Sequence, residues 1–154
     1  MKILVFIFLI LFSFSVNAQN FTENDEISAL FEKAGVDGTF ILYDVQKNSF
    51  TGHNKNRSTL RYIPASTFKI TNSLIGLSVG AVETVDEILP YGGQPQYLKI
   101  WEKDMSLRDA IKISNVPIYQ ELARRIGLER MQETIKKLDY GNANIGNVVD
   151  SFWL

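Results

Sequence analysis

The chain has 154 residues, 45% of them hydrophobic and 21% charged, a balance that places it with ordinary globular proteins and suggests a single domain with one core. Its net charge of −1 and pI near 5.8 leave no electrostatic footprint for nucleic acid or for an anionic membrane surface. With no cysteine and His53 as the only histidine, a zinc site would need almost wholly carboxylate ligands, and a Ser-His-Asp triad would rest on a histidine whose context, Thr51-Gly52-His53-Asn54-Lys55-Asn56, reads as a polar surface loop.

In chain order, Lys2, an apolar run over residues 3–14 and Val16-Asn17-Ala18 are the parts of a secretory signal peptide, so residues 1–18 are expected to be removed on export. The run is shorter than the ~20 residues that span a bilayer. No cysteine follows it to carry a lipid, so no stable membrane anchor is expected after cleavage. Residues 19–23 read as a polar lead-in. Ile27, Leu30, Phe31 and Ala34 then recur at helical spacing, with Thr22 as the expected cap and Gly35 just past the end. Thr39-Phe40-Ile41-Leu42-Tyr43, a turn at Gln46-Lys47-Asn48 and Ser49-Phe50-Thr51 predict a hairpin.

Pro64 biases Ile63 toward extended backbone and stands ahead of a segment carrying Phe68, Ile70, Leu74, Ile75, Leu77 and Val79, ended by Gly80. Apolar residues run almost all round it, which predicts a helix buried in the middle of a domain. Residues 83–93 read as connection, and Tyr91-Gly92-Gly93-Gln94-Pro95 as a turn-rich loop. Ser106-Leu107-Arg108-Asp109 has the form of a helix cap leading into a short helix. Pro117 suits a fresh helical start, followed by the stripe Ile118, Leu122, Ala123 and Ile126 up to Gly127. Met131, Ile135 and Leu138 repeat that pattern before Tyr140-Gly141-Asn142 stops it. A hairpin alone is a marginal sheet, and the chain ends on apolar Phe152-Trp153-Leu154, so further elements are expected to complete the fold.

Chemistry concentrates at Ile63-Pro64-Ala65-Ser66-Thr67-Phe68-Lys69-Ile70. Residues three apart share a helix face, so Ser66 and Lys69 can bring a hydroxyl and an amine together. Apolar burial disfavours the charged ammonium and turns lysine, ordinarily titrating near ~10.4, into a base closer to neutrality. Free N–H groups at a helix start favour an oxyanion, and the Ser66 N–H is a candidate donor. With eleven serines and ten lysines, chance supplies about one such spacing in a chain of this length. A plainer alternative stands beside this one, in which Ser66 and Thr67 cap the helix and Lys69 is a solvated first-turn residue.

Pro64-Ala65-Ser66-Thr67-Phe68-Lys69 closely resembles the corresponding stretch of the class D, oxacillinase-type serine β-lactamases. Ser114-Asn115-Val116, Tyr140-Gly141-Asn142 and Asp150-Ser151-Phe152-Trp153-Leu154 resemble that family's further motifs, in the same order. The resemblance implies an α/β (α+β) fold of the serine β-lactamase/penicillin-binding transpeptidase type, a helical region plus an antiparallel sheet, with residues 19–154 as the N-terminal part of one such domain. It implies Ser66 as the acylated nucleophile, Lys69 as a carbamate (N6-carboxylysine) formed with carbon dioxide or bicarbonate and acting as general base, and Ser114 as a proton shuttle. Val116, Tyr119, Trp153 and Leu154 would line the pocket, with the Trp153 indole N–H on a carbamate oxygen. Each also has a plain reading: Val116, Tyr119, Trp153 and Leu154 as core residues, Ser114 as a helix cap, Tyr140-Gly141-Asn142 as a helix stop.

The implied activity is hydrolysis of small-molecule β-lactams in the bacterial periplasm, conferring antibiotic resistance in the full-length form, with no metal cofactor. The likeness stops at Leu154, before the family's Lys-Thr/Ser-Gly strand, so the sheet is expected to be incomplete. Partial sequence and true truncation both fit this. A polypeptide ending at Leu154 is expected to fold poorly and turn over β-lactams weakly. The alternative functions are a β-lactam sensor that stays acylated and, third, a peptidoglycan transpeptidase.

Overall fold

The computed structural model describes residues 20–154, and the expected signal peptide lies outside the described residues. The chain forms two compact units, Met1–Leu60 and Arg61–Leu154.

The first unit is a three-stranded sheet carrying one helix. Strand β1 (Asn20–Glu23) pairs parallel with β3 (Ser49–His53), which pairs antiparallel with β2 (Phe40–Asp44). The hairpin forms because the Asp44 carboxylate accepts the N–H groups of Gln46 and Lys47, both at 3.0 Å, and Asn48 takes the left-handed turn position. Helix α1 (Asp25–Ala34) begins at Asn24, whose side chain accepts from the Ile27 N–H, and ends at Gly35 in the left-handed conformation. Thr22, the expected cap, instead lies in β1 opposite Thr51. The polar run 19–23 thus contains a strand that no alternation announces, because its hydrogen-bond partners lie some thirty residues on. Glu23 also accepts the backbone N–H groups of Asn54 and Lys55, at the start of the one-turn helix α2 (Lys55–Ser58). His53 is not in a loop: it ends β3, its Nδ1 is 2.8 Å from the Ser28 hydroxyl, and its ring stacks on Phe31.

The hydrophobic core described here belongs to the second unit. Helix α3 (Phe68–Ser78) follows a 3₁₀ turn over Ala65–Thr67. Residues 83–93, expected as plain connection, include the two-residue strand β4 (Ile88–Leu89), paired antiparallel with β5 (Met105–Ser106). Ser106 caps α4 (Leu107–Lys112) by accepting from the Asp109 N–H. Asn115, rather than Ser114, caps α5 (Val116–Ile126), and Pro117 sits in its first turn where no N–H is needed. The expected stripe of α5 (Ile118, Leu122, Ala123 and Ile126) is fully buried, as is Tyr119. Helix α6 (Leu128–Lys137) adds Met131 and Ile135 from its inner face, whereas Leu138 ends the helix half exposed.

Helices α3 and α5 meet at Gly76, where a Cβ would come within 2.7 Å of Leu122. The expectation that α3 is buried all round is corrected by its outer face. Phe68, Lys69, Asn72, Ile75 and Gly76 point inward, but Ile70 and Leu74 are each 60% exposed.

Gly52 is the sharpest packing constraint in the first unit, because a Cβ there would sit 1.9 Å from the carbonyl oxygen of Phe40. That clash is with backbone of the paired strand and cannot be relieved by a rotamer change. Gly52→Ala is therefore expected to destabilise the protein by about 1–3 kcal/mol, read as a lower midpoint in urea or thermal unfolding, and an unchanged midpoint would contradict this packing.

Candidate active site

Ser66 lies in the 3₁₀ turn and Lys69 in the first turn of α3, so the two side chains leave the same side of a tightening helix start. The Lys69 Nζ is 3.0 Å from the Ser66 Oγ, and the Ser114 hydroxyl donates to the same Oγ at 2.8 Å. Ser114 reaches it from the turn between α4 and α5, where its φ is +52°. Ala65, immediately before Ser66, has φ +47°. Both are left-handed positions that non-glycine side chains seldom occupy, and both flank the same hydroxyl.

The burial of the three groups differs. Ser66 is exposed, Ser114 half-buried, and Lys69 only 2% exposed. Burial pushes the Lys69 amine below the ordinary lysine range. No described carboxylate forms an ion pair with it; its aromatic neighbour is the face of Tyr119, 5.6 Å from the Nζ. Neither Ser66 nor Thr67 caps α3: Thr67 Oγ1 donates back to the Pro64 carbonyl, and Ser66 Oγ faces the lysine.

Several supporting residues escaped the sequence reading. Ser73, one turn beyond Lys69, donates to the Lys69 carbonyl at 2.9 Å and lies 2.9 Å from the Tyr119 hydroxyl. With its own proton on that carbonyl, Ser73 must accept from Tyr119. The spacing 66, 69, 73 on one helical face was the available signal. Burial raises the Tyr119 phenol above its ordinary range, with the Ser73 hydrogen bond opposing. Asn72 Nδ2 donates to the Tyr119 carbonyl at 3.0 Å, joining α3 to α5 a second time.

Trp153 is fully buried, its ring 5.3 Å from that of Phe68 and stacked on it. Phe152 and Tyr140 meet Phe68 edge-on, so three aromatic rings surround the residue before Lys69. Among the described residues, the Trp153 indole Nε1 and Asn72 Oδ1 are the buried side-chain polar atoms without a hydrogen-bond partner. Of the remaining sequence candidates, Val116 opens α5 two residues after Ser114 and is half-buried. Leu154 is not drawn into the core: it is 53% exposed and its N–H bonds to the Ser151 carbonyl. Tyr140-Gly141-Asn142 lines a separate cavity of about 430 Å³ together with Arg61, Ile63 and Phe152, among others. Among the described residues no group of three or more His, Cys, Asp or Glu is placed to hold a metal ion, and no helix is long and apolar enough to cross a membrane.

A serine flanked by a buried lysine and a second serine is an arrangement that can carry acyl transfer, and the known families bear on it directly. Residues 17–153 match the penicillin binding protein transpeptidase domain, and the chain belongs to that family, with class D β-lactamases as its relatives within it. It is 41% identical over 152 residues to the β-lactamase OXA-5 of Pseudomonas aeruginosa, covering 99% of this chain and 57% of that one. Among solved structures it resembles FUS-1 (OXA-85), a class D β-lactamase of Fusobacterium nucleatum, with 48% identity and a TM-score of 0.83 over 86% of this chain and 55% of that one. A class D β-lactamase from Nostoc is similar at 39% identity and a TM-score of 0.80, covering 83% of this chain and 54% of that one. The fold is thus of the penicillin-binding transpeptidase type, and the chain spans about half the length of the relatives it matches.

The buried amine carries a stability cost. Below the depressed folded-state pKa of Lys69 the protein must bury a charge, so its stability rises with pH between that value and the ~10.4 of an unfolded lysine. Lys69→Met removes the cost while keeping the volume. Its melting temperature is expected to exceed the parent's at pH 7, with the gap closing as pH approaches ~10.4. A gap independent of pH would mean that Lys69 titrates normally.

Proposed function

We propose that the chain is the nucleophile-bearing half of a serine β-lactamase that opens β-lactam rings at Ser66 and releases the product by hydrolysis, and that the complete protein confers β-lactam resistance from the bacterial periplasm. The observation that carries this is the convergence of Lys69 Nζ and Ser114 Oγ on Ser66 Oγ, with the lysine buried and unpaired by any described carboxylate. Names of the relatives supply the substrate class.

In this reading Lys69, whose charged form burial disfavours, is carboxylated by carbon dioxide to N6-carboxylysine, which supplies a general base beside Ser66. The site's fit to that modification rests on two features: a neutral amine is the form that reacts, and a buried indole N–H at Trp153 stands without a partner beside the Phe68–Lys69 turn. Ser66 Oγ gives its proton to the carboxylated Lys69 and attacks the lactam carbonyl, forming the tetrahedral adduct and then, as the C–N bond breaks, the acyl-enzyme. Ser114, whose hydroxyl stands 2.8 Å from Ser66 Oγ, hands its proton to the departing nitrogen and takes back the proton that the carboxylated Lys69 received from Ser66. Water, deprotonated in turn, attacks the ester carbonyl and frees Ser66. The Tyr119 ring covers the Lys69 amine, and in this reading Val116, two residues after Ser114, and Leu154, next to Trp153, complete the lining.

Mass spectrometry separates the readings. A penicillin adduct on Ser66 that forms and disappears within a turnover supports hydrolysis; an adduct that persists for hours supports a sensor that stays acylated; no adduct on Ser66 refutes both. Ser114→Ala is expected to slow ring opening by about 10²-fold. Because carboxylation draws on the neutral amine, activity is expected to fall as pH drops in carbon dioxide-free buffer and to return on adding bicarbonate. Full activity in degassed, mildly acid buffer would exclude the carboxylated lysine.

A further inference from the structure

The Trp153 indole can serve Lys69 only if the short turn that carries it is held in place. That turn, residues 150–153, has no helix or strand of its own. Helix α5 holds it at Asp150, in two ways. The Arg124 Nη1 donates to the Asp150 carboxylate at 2.7 Å, and the Gln120 side-chain amide donates to the Asp150 backbone carbonyl at 3.1 Å. Arg124 is itself braced, its Nε and Nη2 on the Glu121 carboxylate at 3.2 and 3.1 Å. Gln120 and Arg124 are one helical turn apart on α5, the helix whose Tyr119 covers the Lys69 amine.

We propose that Gln120 and Arg124 are positioning residues for the active site: by clamping Asp150 they fix the Phe152-Trp153 segment against Phe68 and so set the aim of the Trp153 N–H on which a carboxylated Lys69 depends. This rests on the carboxylated-lysine reading given above. Neither residue touches Ser66 or Lys69. Arg124 is half exposed, so the sequence alone gives it the look of a solvated helix-face charge. The geometry instead makes it the outer end of a chain running Arg124, Asp150, Trp153. The fixed indole is stacked on Phe68 and met edge-on by Phe152, and its Nε1 is left without a protein partner. A side chain that merely filled the core would not need its turn tethered by both a side-chain and a main-chain bond.

The test is titration of the purified protein with ¹³C-bicarbonate, following the lysine carbamate resonance by NMR, with Lys69→Met to assign it. Arg124→Met and Asp150→Asn are each expected to raise the bicarbonate concentration for half-carboxylation by about fivefold, the size an ion pair near the surface supplies. The double variant should be no worse than either single one, because both remove the same contact. Arg124→Lys, which can still meet Asp150, should recover most of the loss. Glu121→Gln, which leaves the Asp150 contact standing, should change little. A half-carboxylation point unmoved by Arg124→Met and Asp150→Asn, with folding intact by circular dichroism, overturns the clamp.

If the parent protein shows no carbamate resonance, the carboxylated-lysine reading fails on its own. The clamp is then decided by hydrogen exchange of the Trp153 indole N–H, assigned with Trp101→Phe. Exchange several-fold faster in Arg124→Met than in the parent supports the clamp, and equal rates refute it.

Discussion

The second unit is organised around keeping one amine dry next to one hydroxyl that is wet. Lys69 is buried among the residues that join α3 to α5, while Ser66, three residues earlier, faces solvent. Water would restore the ammonium, and a nearby carboxylate would lock it. No described carboxylate pairs with the amine, whose neighbours are the Tyr119 ring and the Ser66 hydroxyl, with Ser114 on the far side of that hydroxyl and Ser73 on the Tyr119 hydroxyl. A lysine in such a place is a weak point for stability and a strong one for chemistry, because the penalty of burying its charge is the same free energy that makes it a base.

Helix α5 is the element that makes this arrangement rigid. Its N-terminal turn delivers Ser114 and is capped by Asn115, whose amide also reaches the Trp101 carbonyl at 3.3 Å. Its next turn brings Tyr119 over the lysine, and the same residue's main-chain carbonyl accepts from Asn72 of α3. The absence of a side chain at Gly76 lets α3 approach close enough for these short bonds to form against Leu122. Packing and chemistry are therefore not separable here: the bonds that seat α3 on α5 are the bonds that orient the site.

Much of the helical half was legible because its periodicity is strong. The stripe of α5, the caps at Ser106 and Gly35 and the inward residues of α6 follow from spacing alone. Strand β1 was not legible, since Asn20-Phe21-Thr22-Glu23 is polar and short and becomes a strand only by pairing with β3. The same holds for β4 and β5, two residues each. At the site, Ser66 and Lys69 stood out by spacing, but Ser73, Gln120 and Arg124 did not, because a serine in a helix and charges on a helix face carry no mark of what they touch. The apolar count around α3 overstated its burial for a related reason: composition says that Ile70 and Leu74 are hydrophobic, not which side of the helix a partner covers.

That unequal burial of α3 has a chemical consequence. A helix buried on every side would put the Ser66 hydroxyl, the nucleophile of the proposed function, out of reach of any substrate, whereas one lying on the surface would hydrate its lysine. Here the boundary between core and solvent crosses the helix start, so that Phe68 and Lys69 turn inward while Ser66 and Ile70 turn outward. The tightening of the backbone into a 3₁₀ turn at Ala65–Thr67 lets the two functional groups straddle that boundary and still stand 3.0 Å apart. A regular α-helical start would keep the residues adjacent, but the exposed hydroxyl and the buried amine belong to different environments, and the local change of helix type at Ser66 is where the chain passes from one to the other.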